Sequence, residues 1–189
     1  MKNLLFILTL FVFFSCNNQS ESTEGSGDAP ATVESAEMTA PEYNLEKTSL
    51  TWTAFKTPEK VGVSGTFDDI TLNGNQFSID ATSVNSGDGI RDPKLVQFFF
   101  EKMSNTTISG SYGAPEGSKI PITISMNGVE KSFDFDYEVN DTATLVSGTI
   151  DIVSDFSGNA ALEAINEACN ELHAGKTWTD VDINIVSMK

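Results

Sequence analysis

From Tyr43 to the C-terminus the chain repeats one pattern, apolar residues at alternate positions in short runs separated by turn residues. A period of two puts successive side chains on opposite faces of a β-strand. Leu50, Trp52 and Ala54 alternate with threonines, and Val61, Val63, Gly65 and Phe67 follow after Thr57-Pro58-Glu59. Phe77, Ile79 and Ala81 come next, then Ile108, Gly110 and Tyr112, then Ile120, Ile122, Ile124 and Met126. Asn127-Gly128 is the strongest hairpin signal, because both central positions of a type I′ turn need positive φ. Phe133, Phe135, Tyr137 and Val139 return from it; Val146, Gly148, Ile150 and Ile152 form a seventh run, and Val181, Ile183 and Ile185 an eighth. Eight amphipathic strands with short connections predict an all-β fold, a closed eight-stranded antiparallel barrel.

Two stretches depart from that period. In Ser83–Phe100 a glycine-rich turn leads into Arg91-Asp92-Pro93. Asp at the cap and Pro at the first helical position predict a short helix near residues 93–102, whose phenylalanines close one end of the barrel. In 159–175, Leu162, Ile165, Cys169 and Leu172 share one helical face while Glu163, Glu167 and Glu171 occupy the other. This predicts an inserted helix near 160–174, with Asn159 capping its start and Gly175 its end.

The N-terminus reads differently. Lys2 precedes an apolar run from Leu4 to Phe14; as a helix it reaches only about 16 Å, short of the roughly 30 Å hydrocarbon layer. Residues 1–15 therefore read as a secretory signal. Phe13-Phe14-Ser15-Cys16 resembles a bacterial lipobox, which implies cleavage before Cys16 and its acylation. Residues 16–42, rich in Ser, Thr, Glu, Gly and Ala, read as a disordered acidic tether, leaving 43–189 as the folded domain.

Acidic residues outnumber basic ones 27 to 11, for a net charge of −16. Such a surface excludes nucleic acid, whose phosphates need basic residues. Cys16 and Cys169 are the two cysteines, so acylation of Cys16 leaves no intrachain disulfide, and stability has to come from a core. His173, the single histidine, sits in the last turn of the inserted helix, where a cation favours the helix dipole. With Cys169 it supplies two metal-type ligands, too few for a zinc site. Asp134, Asp136 and Glu138 read as the solvated face of a strand. No catalytic constellation and no metal site is expected.

Eight strands enclose room either for side chains or for one slim ligand. The inward rows mix bulky Trp52, Phe67, Phe133 and Phe135 with small Ala54, Gly65, Gly110 and Gly148, which leaves some layers underfilled. The rows nominate Trp52, Val63, Phe67, Ile79, Ile108, Ile122 and Ile124 as bore lining, together with Phe133, Phe135, Ile150 and Ile183 and, from the short helix, Phe98 and Phe99. Arg91 and Asp92 stand at the mouth, where Arg offers forked donors to a ligand headgroup.

Leu50-x-Trp52-x-Ala54, Val63-x-Gly65-x-Phe67, Ser83-x-x-Ser86, Arg91-Asp92-x-x-Leu95-x-x-Phe98-Phe99, Ile122 to Lys131, Asp155-Phe156-x-Gly158 and Val181-x-Ile183-x-Ile185 follow in an order that resembles the YceI-like domain family. The resemblance implies a lipocalin-like barrel exported to the bacterial cell envelope. It also implies a polyisoprenoid or isoprenoid-quinone chain in the bore, with no other cofactor. Lys56 and Lys94 stand where many members carry histidine, and the helical insert is longer than the usual connection. The reading is a non-enzymatic, membrane-tethered protein that binds an apolar isoprenoid-like lipid. Its rival is an envelope interaction or scaffold module with a filled core and a protein partner.

Overall fold

Ten strands form one curled antiparallel sheet: β1 Thr48–Lys56, β2 Val61–Phe67, β3 Ile70–Asn73, β4 Gln76–Asp80, β5 Val84–Asn85, β6 Thr107–Tyr112, β7 Lys119–Met126, β8 Val129–Val139, β9 Ala143–Asp151 and β10 Thr177–Met188. The computed structural model of the chain describes residues 39–189. The leader, Cys16 and nearly all of the tether lie outside the described residues.

The strand order is β3-β4-β6-β7-β8-β9-β10-β1-β2-β5, which corrects the expected closed eight-stranded barrel to a ten-stranded half-barrel with β3 and β5 as edges. The eight alternating runs all form strands; β3 and β5 are the additions. They arise because one long hairpin is bent at a corner, so that β2 pairs with β5 while β3 pairs with β4. At that corner the ladder gives way to irregular bonds: Asp68 N–H donates to Ser83 O (3.0 Å), Asp69 N–H to Ser83 Oγ (2.9 Å) and Asp80 N–H to Asp69 O (3.1 Å). The corner thus links the two ends of the sheet without a continuous ladder. The Asn127-Gly128 turn has φ of 54° and 75°, as a type I′ hairpin requires.

Glycines on the inner face are not gaps. A Cβ on Gly65 would come within 2.3 Å of the Trp52 ring, on Gly110 within 2.7 Å of the Phe77 ring, and on Gly148 within 2.4 Å of the Phe135 ring. Trp52 faces Gly65, and Phe77 faces Gly110, directly across adjacent strands. The large-small alternation therefore fills its own layers, correcting the expectation that these glycines leave them underfilled.

Two helices cover the concave face, α1 Arg91–Phe98 and α2 Asn159–Ala168. α1 begins two residues before the predicted Pro93, and a separate 3-10 turn, Phe100–Lys102, completes the predicted span. Its capping carboxylate is Asp88, which accepts from Ile90 N–H (3.0 Å) and Arg91 N–H (3.2 Å). Asp92 does not cap it and instead accepts from Ser86 N–H (2.9 Å) and Ser86 Oγ–H (2.5 Å). α2 ends at Ala168, seven residues before Gly175, and Asn159 makes no side-chain cap bond. Tight turns continue to Gly175, whose φ of 75° closes them.

Antiparallel register sorts the ends of the sheet. β1 starts with Thr48 opposite Ser187 and finishes with Lys56 opposite Thr177, while Val139 pairs with Thr144 and Ala143 with Met188. Chain entry, Val139 and Met188 thus lie at one end, and Lys56, Asp151 and Thr177 at the other. Near the entry end a dense cluster includes Tyr112, Ile120, Ile122, Phe135 and Val146, with Tyr43 packed against it. A second, smaller cluster joins Trp52, Ala81, Val84 and Phe100.

Candidate functional site

Between the sheet and the two helices lies a cavity of about 380 Å³. Its sheet wall carries Trp52, Ala54 and Val63 from β1 and β2, Ile150 from β9, and Val181 and Ile183 from β10. The amphipathic pattern of α2 explains the facing wall, since Leu162, Ile165 and Cys169 turn their shared stripe inward while Glu163 and Glu167 stay exposed. Leu95 and Phe99 from the α1 segment and Phe100 complete the enclosure, and Ile108, Met126 and Ile152 also line it. Phe100 stacks edge-on against Phe67 (centroids 5.8 Å) and Phe99 (5.1 Å), fixing the lid to the sheet.

Two wall residues reach solvent and mark the opening: Ile90 is 77% exposed and Leu172 64%. The polar groups of the wall gather beside them, namely Lys56, Arg91, Lys94, His173, Thr177 and Asp88. Arg91 pairs with Asp88 (3.3 Å) and donates from Nη1 to Ser86 Oγ (3.2 Å). Backbone N–H groups of Ile90 and Arg91 hold the Asp88 carboxyl below its ordinary value. Thr177 Oγ–H donates to Asn166 Oδ1 (2.9 Å). That uses the one hydroxyl proton, so His173 Nδ1–H is the donor in its 2.8 Å bond to Thr177 Oγ1. Burial, and after it the charges of Lys56 and Lys94, push the His173 imidazole below its ordinary pKa.

Of the thirteen residues nominated for the bore, the cavity wall holds Trp52, Val63, Phe67, Phe99, Ile108, Ile150 and Ile183. The other six lie elsewhere. Ile122, Ile124, Phe133 and Phe135 pack in the larger apolar cluster without lining the cavity. Ile79 is buried outside the cavity wall, and Phe98 is half-buried and joins neither cluster. Of the mouth pair, Arg91 reaches the cavity and Asp92 turns to Ser86. The sequence pattern did not nominate Lys56, Lys94, Ile165 or Trp178 for the site. The apolar stripe of α2 was visible, but what it packs against was not. Cys16 lies outside the described residues.

Among the described residues, no three His, Cys, Asp or Glu side chains converge on a metal position. The basic Lys60 and Lys176 instead stack on Trp178, at 5.1 and 4.6 Å from its ring. Trp178 Nε1–H in turn donates to Thr57 O (2.8 Å), clamping the β1–β2 turn to β10 beside the mouth.

Similar folds have been solved. A polyisoprenoid-binding domain from Saccharophagus degradans, implicated in plant cell wall breakdown, superimposes with a TM-score of 0.57 at 19% identity, covering 75% of this chain and 92% of that one. BcnA of Burkholderia cenocepacia gives 0.54 at 14% identity over 78% and 99%. The YceI protein of Campylobacter jejuni gives 0.51 at 20% over 68% and 85%. No curated protein matches the chain. The sequence profile of the YceI-like domain matches residues 42–186, and with three quarters of its length in that match the chain belongs to the YceI-like domain family.

Proposed function

We propose that this protein is a membrane-tethered carrier or buffer for an isoprenoid-like lipid in the bacterial cell envelope, with the lipid chain held between the curled sheet and the two helices. Proteins of the YceI-like family are non-enzymatic lipid-binding modules, and the solved relative from Saccharophagus degradans is described as polyisoprenoid-binding. The observation that carries the reading here is the apolar cavity of about 380 Å³, open beside Ile90 and Leu172. An apolar chain needs no polar partner inside it, and each methylene moved from water contributes about 0.8 kcal/mol. A cavity of this size favours a binder over a scaffold with a filled core, and it falls within the usual range for small-molecule sites. The tether and an acylated Cys16 would keep the domain within roughly 25–30 Å of its membrane.

Organic extraction of the protein purified from a bacterial envelope, followed by mass spectrometry, should recover a lipid at close to one per chain. Recovering none, together with no binding of added isoprenoids, would sink the carrier reading. In the same preparation Cys16→Ser should move the protein from the membrane to the soluble fraction; retention on the membrane would place the anchor elsewhere.

A further inference from the structure

We infer that the rim of the cavity mouth is a membrane-docking surface: Ile90, Leu172 and Val61 enter the apolar edge of a bilayer while Trp178, Lys60 and Lys176 settle among its headgroups. The inference rests on the lipid-carrier reading above and names the surface across which the lipid is exchanged.

Ile90 and Leu172 are the two most exposed large apolar side chains among the described residues, and both belong to the cavity wall. They stand on different segments, Ile90 at the start of α1 and Leu172 in the turns that follow α2. Val61 is exposed as well. It lies opposite Lys56 in the β1–β2 ladder and two residues before Val63, so it continues the inward row of β2 past the cavity wall to the rim. The turn holds Ile90 in place: its N–H donates to Asp88 Oδ1 (3.0 Å), and Arg91 N–H donates to the same oxygen (3.2 Å). Three aliphatic side chains from three segments thus ring one opening. Moving them from water into hydrocarbon is favourable in proportion to the area removed from water.

The residues beside them favour a bilayer over a protein partner. Trp178 belongs to the cavity wall, and the ammonium groups of Lys60 and Lys176 lie 5.1 and 4.6 Å from its ring. Trp and Lys together suit a membrane interface, where an indole sits at headgroup depth and a lysine lays its stem on apolar surface with its charge among phosphates. Lysine is instead depleted in protein–protein interfaces. The charge balance agrees. Lys56, Lys60, Arg91, Lys94 and Lys176 at the rim are five of the ten described basic residues. Glu59, Asp88, Asp92, Glu171 and Asp180 match them there, while the rest of the described residues carry five basic and seventeen acidic side chains. At physiological ionic strength an exposed charge acts over only about 8 Å, so the local balance governs contact. The rim is neutral on an acidic molecule, and a bilayer that contains anionic lipid meets no net repulsion there.

Tethering permits this contact. Chain entry and mouth lie at opposite ends of the sheet, and the nine residues of β1 span about 30 Å between them. Residues 16–38, which link the acylated Cys16 of the proposed function to the described domain, reach at most about 80 Å when extended. The domain can therefore turn its mouth to the membrane that holds it.

Residues 37–189 form a compact unit of their own, so the test uses that domain, without leader or tether and stripped of bound lipid. It is floated with vesicles of phosphatidylcholine and phosphatidylglycerol in a three-to-one ratio. The domain should float with the vesicles, and lipids brominated along their acyl chains should quench its tryptophan emission. Trp178→Phe should remove most of that quenching, because Trp52 is buried. Ile90→Ser with Leu172→Ser should weaken vesicle partition at least about tenfold. Val61→Ser, at a position outside the cavity wall, should weaken it about threefold. Val139→Ser with Met188→Ser alters two exposed apolar residues at the entry end and should leave partition within about twofold. Urea midpoints matching the parent show that each variant is folded. A domain that stays in solution overturns the docking, as does a loss from the entry-end pair equal to that from the rim pair. Lipid recovered by extraction from a protein whose domain ignores vesicles overturns the docking alone and leaves the carrier reading standing. Vesicle binding by a protein that yields no lipid and takes up no isoprenoid overturns the carrier reading, and with it the exchange assigned to the rim.

Discussion

Asp151 and Asp155 hold the turn that carries Phe156 into the core. Asp151 accepts from Thr179 Oγ–H (2.5 Å), Val153 N–H (2.9 Å) and Ser154 N–H (2.8 Å). Asp155 takes the Lys131 ammonium on one oxygen and Asp151 N–H (2.7 Å) on the other. Burial opposes charge at both, but for Asp151 the hydrogen bonds from Thr179, Ser154 and Val153 outweigh it, and for Asp155 the Lys131 and Asp151 N–H bonds do. Both carboxyls therefore sit below their ordinary value. A carboxyl lowered in the folded state contributes stability that is complete above its unfolded pKa of about 3.9, and that is lost as pH falls through the folded value. Asp155→Asn should thus cost about 1–3 kcal/mol at neutral pH and lose less than the parent on acidification to about pH 2.5. Urea melts at the two pH values check this; unchanged neutral stability would mean other contacts hold the turn. The Asp155-Phe156-x-Gly158 motif was readable as a string, but its partner Lys131 lies on another strand, so the ion pair was not.

Among the elements, the sheet was the most legible part. Eight strands follow from alternation because each offers three or more points of the period. Two residues in β5 and four in β3 offer too few. The short helix was legible too, although its start was not: Asp88 and Asp92 are both plausible caps, and the loop geometry around Ser86 decides between them. Reading the inward glycines as voids failed for a reason of register, since a glycine is filled or empty according to the ring opposite it, whereas Ala54 does line the cavity. Gly148→Ala, which would put a methyl 2.4 Å from the Phe135 ring, should therefore cost about 1–3 kcal/mol. Gly89→Ala meets nothing within 4 Å and should stay within about 0.5 kcal/mol of the parent. Comparable urea midpoints for the two variants would show that the aromatic lid over Gly148 yields freely.

Residues 39–189 form a half-barrel with unlike ends. The chain enters at the end packed with Tyr43, Tyr112 and Tyr137, where burial and the neighbouring tyrosines push the Tyr43 hydroxyl up to about 12. The cavity opens at the other end. Half of the candidate site was visible in sequence because inward strand positions obey a period. Of the mouth only Arg91 was, because Lys56 on β1, Arg91 and Lys94 on α1, and His173 after α2 come from three separate segments and only the fold brings them together. Cys169 is buried on the cavity wall and is the free thiol of the described residues. A maleimide or iodoacetamide can reach it only through the same opening a ligand uses, so its alkylation rate, followed by peptide mass mapping, should fall as the cavity fills and recover when it empties. A rate indifferent to added amphiphile would mean the thiol is reached by local opening of α2 instead. The protein thus carries an occupancy gauge that needs no engineered label.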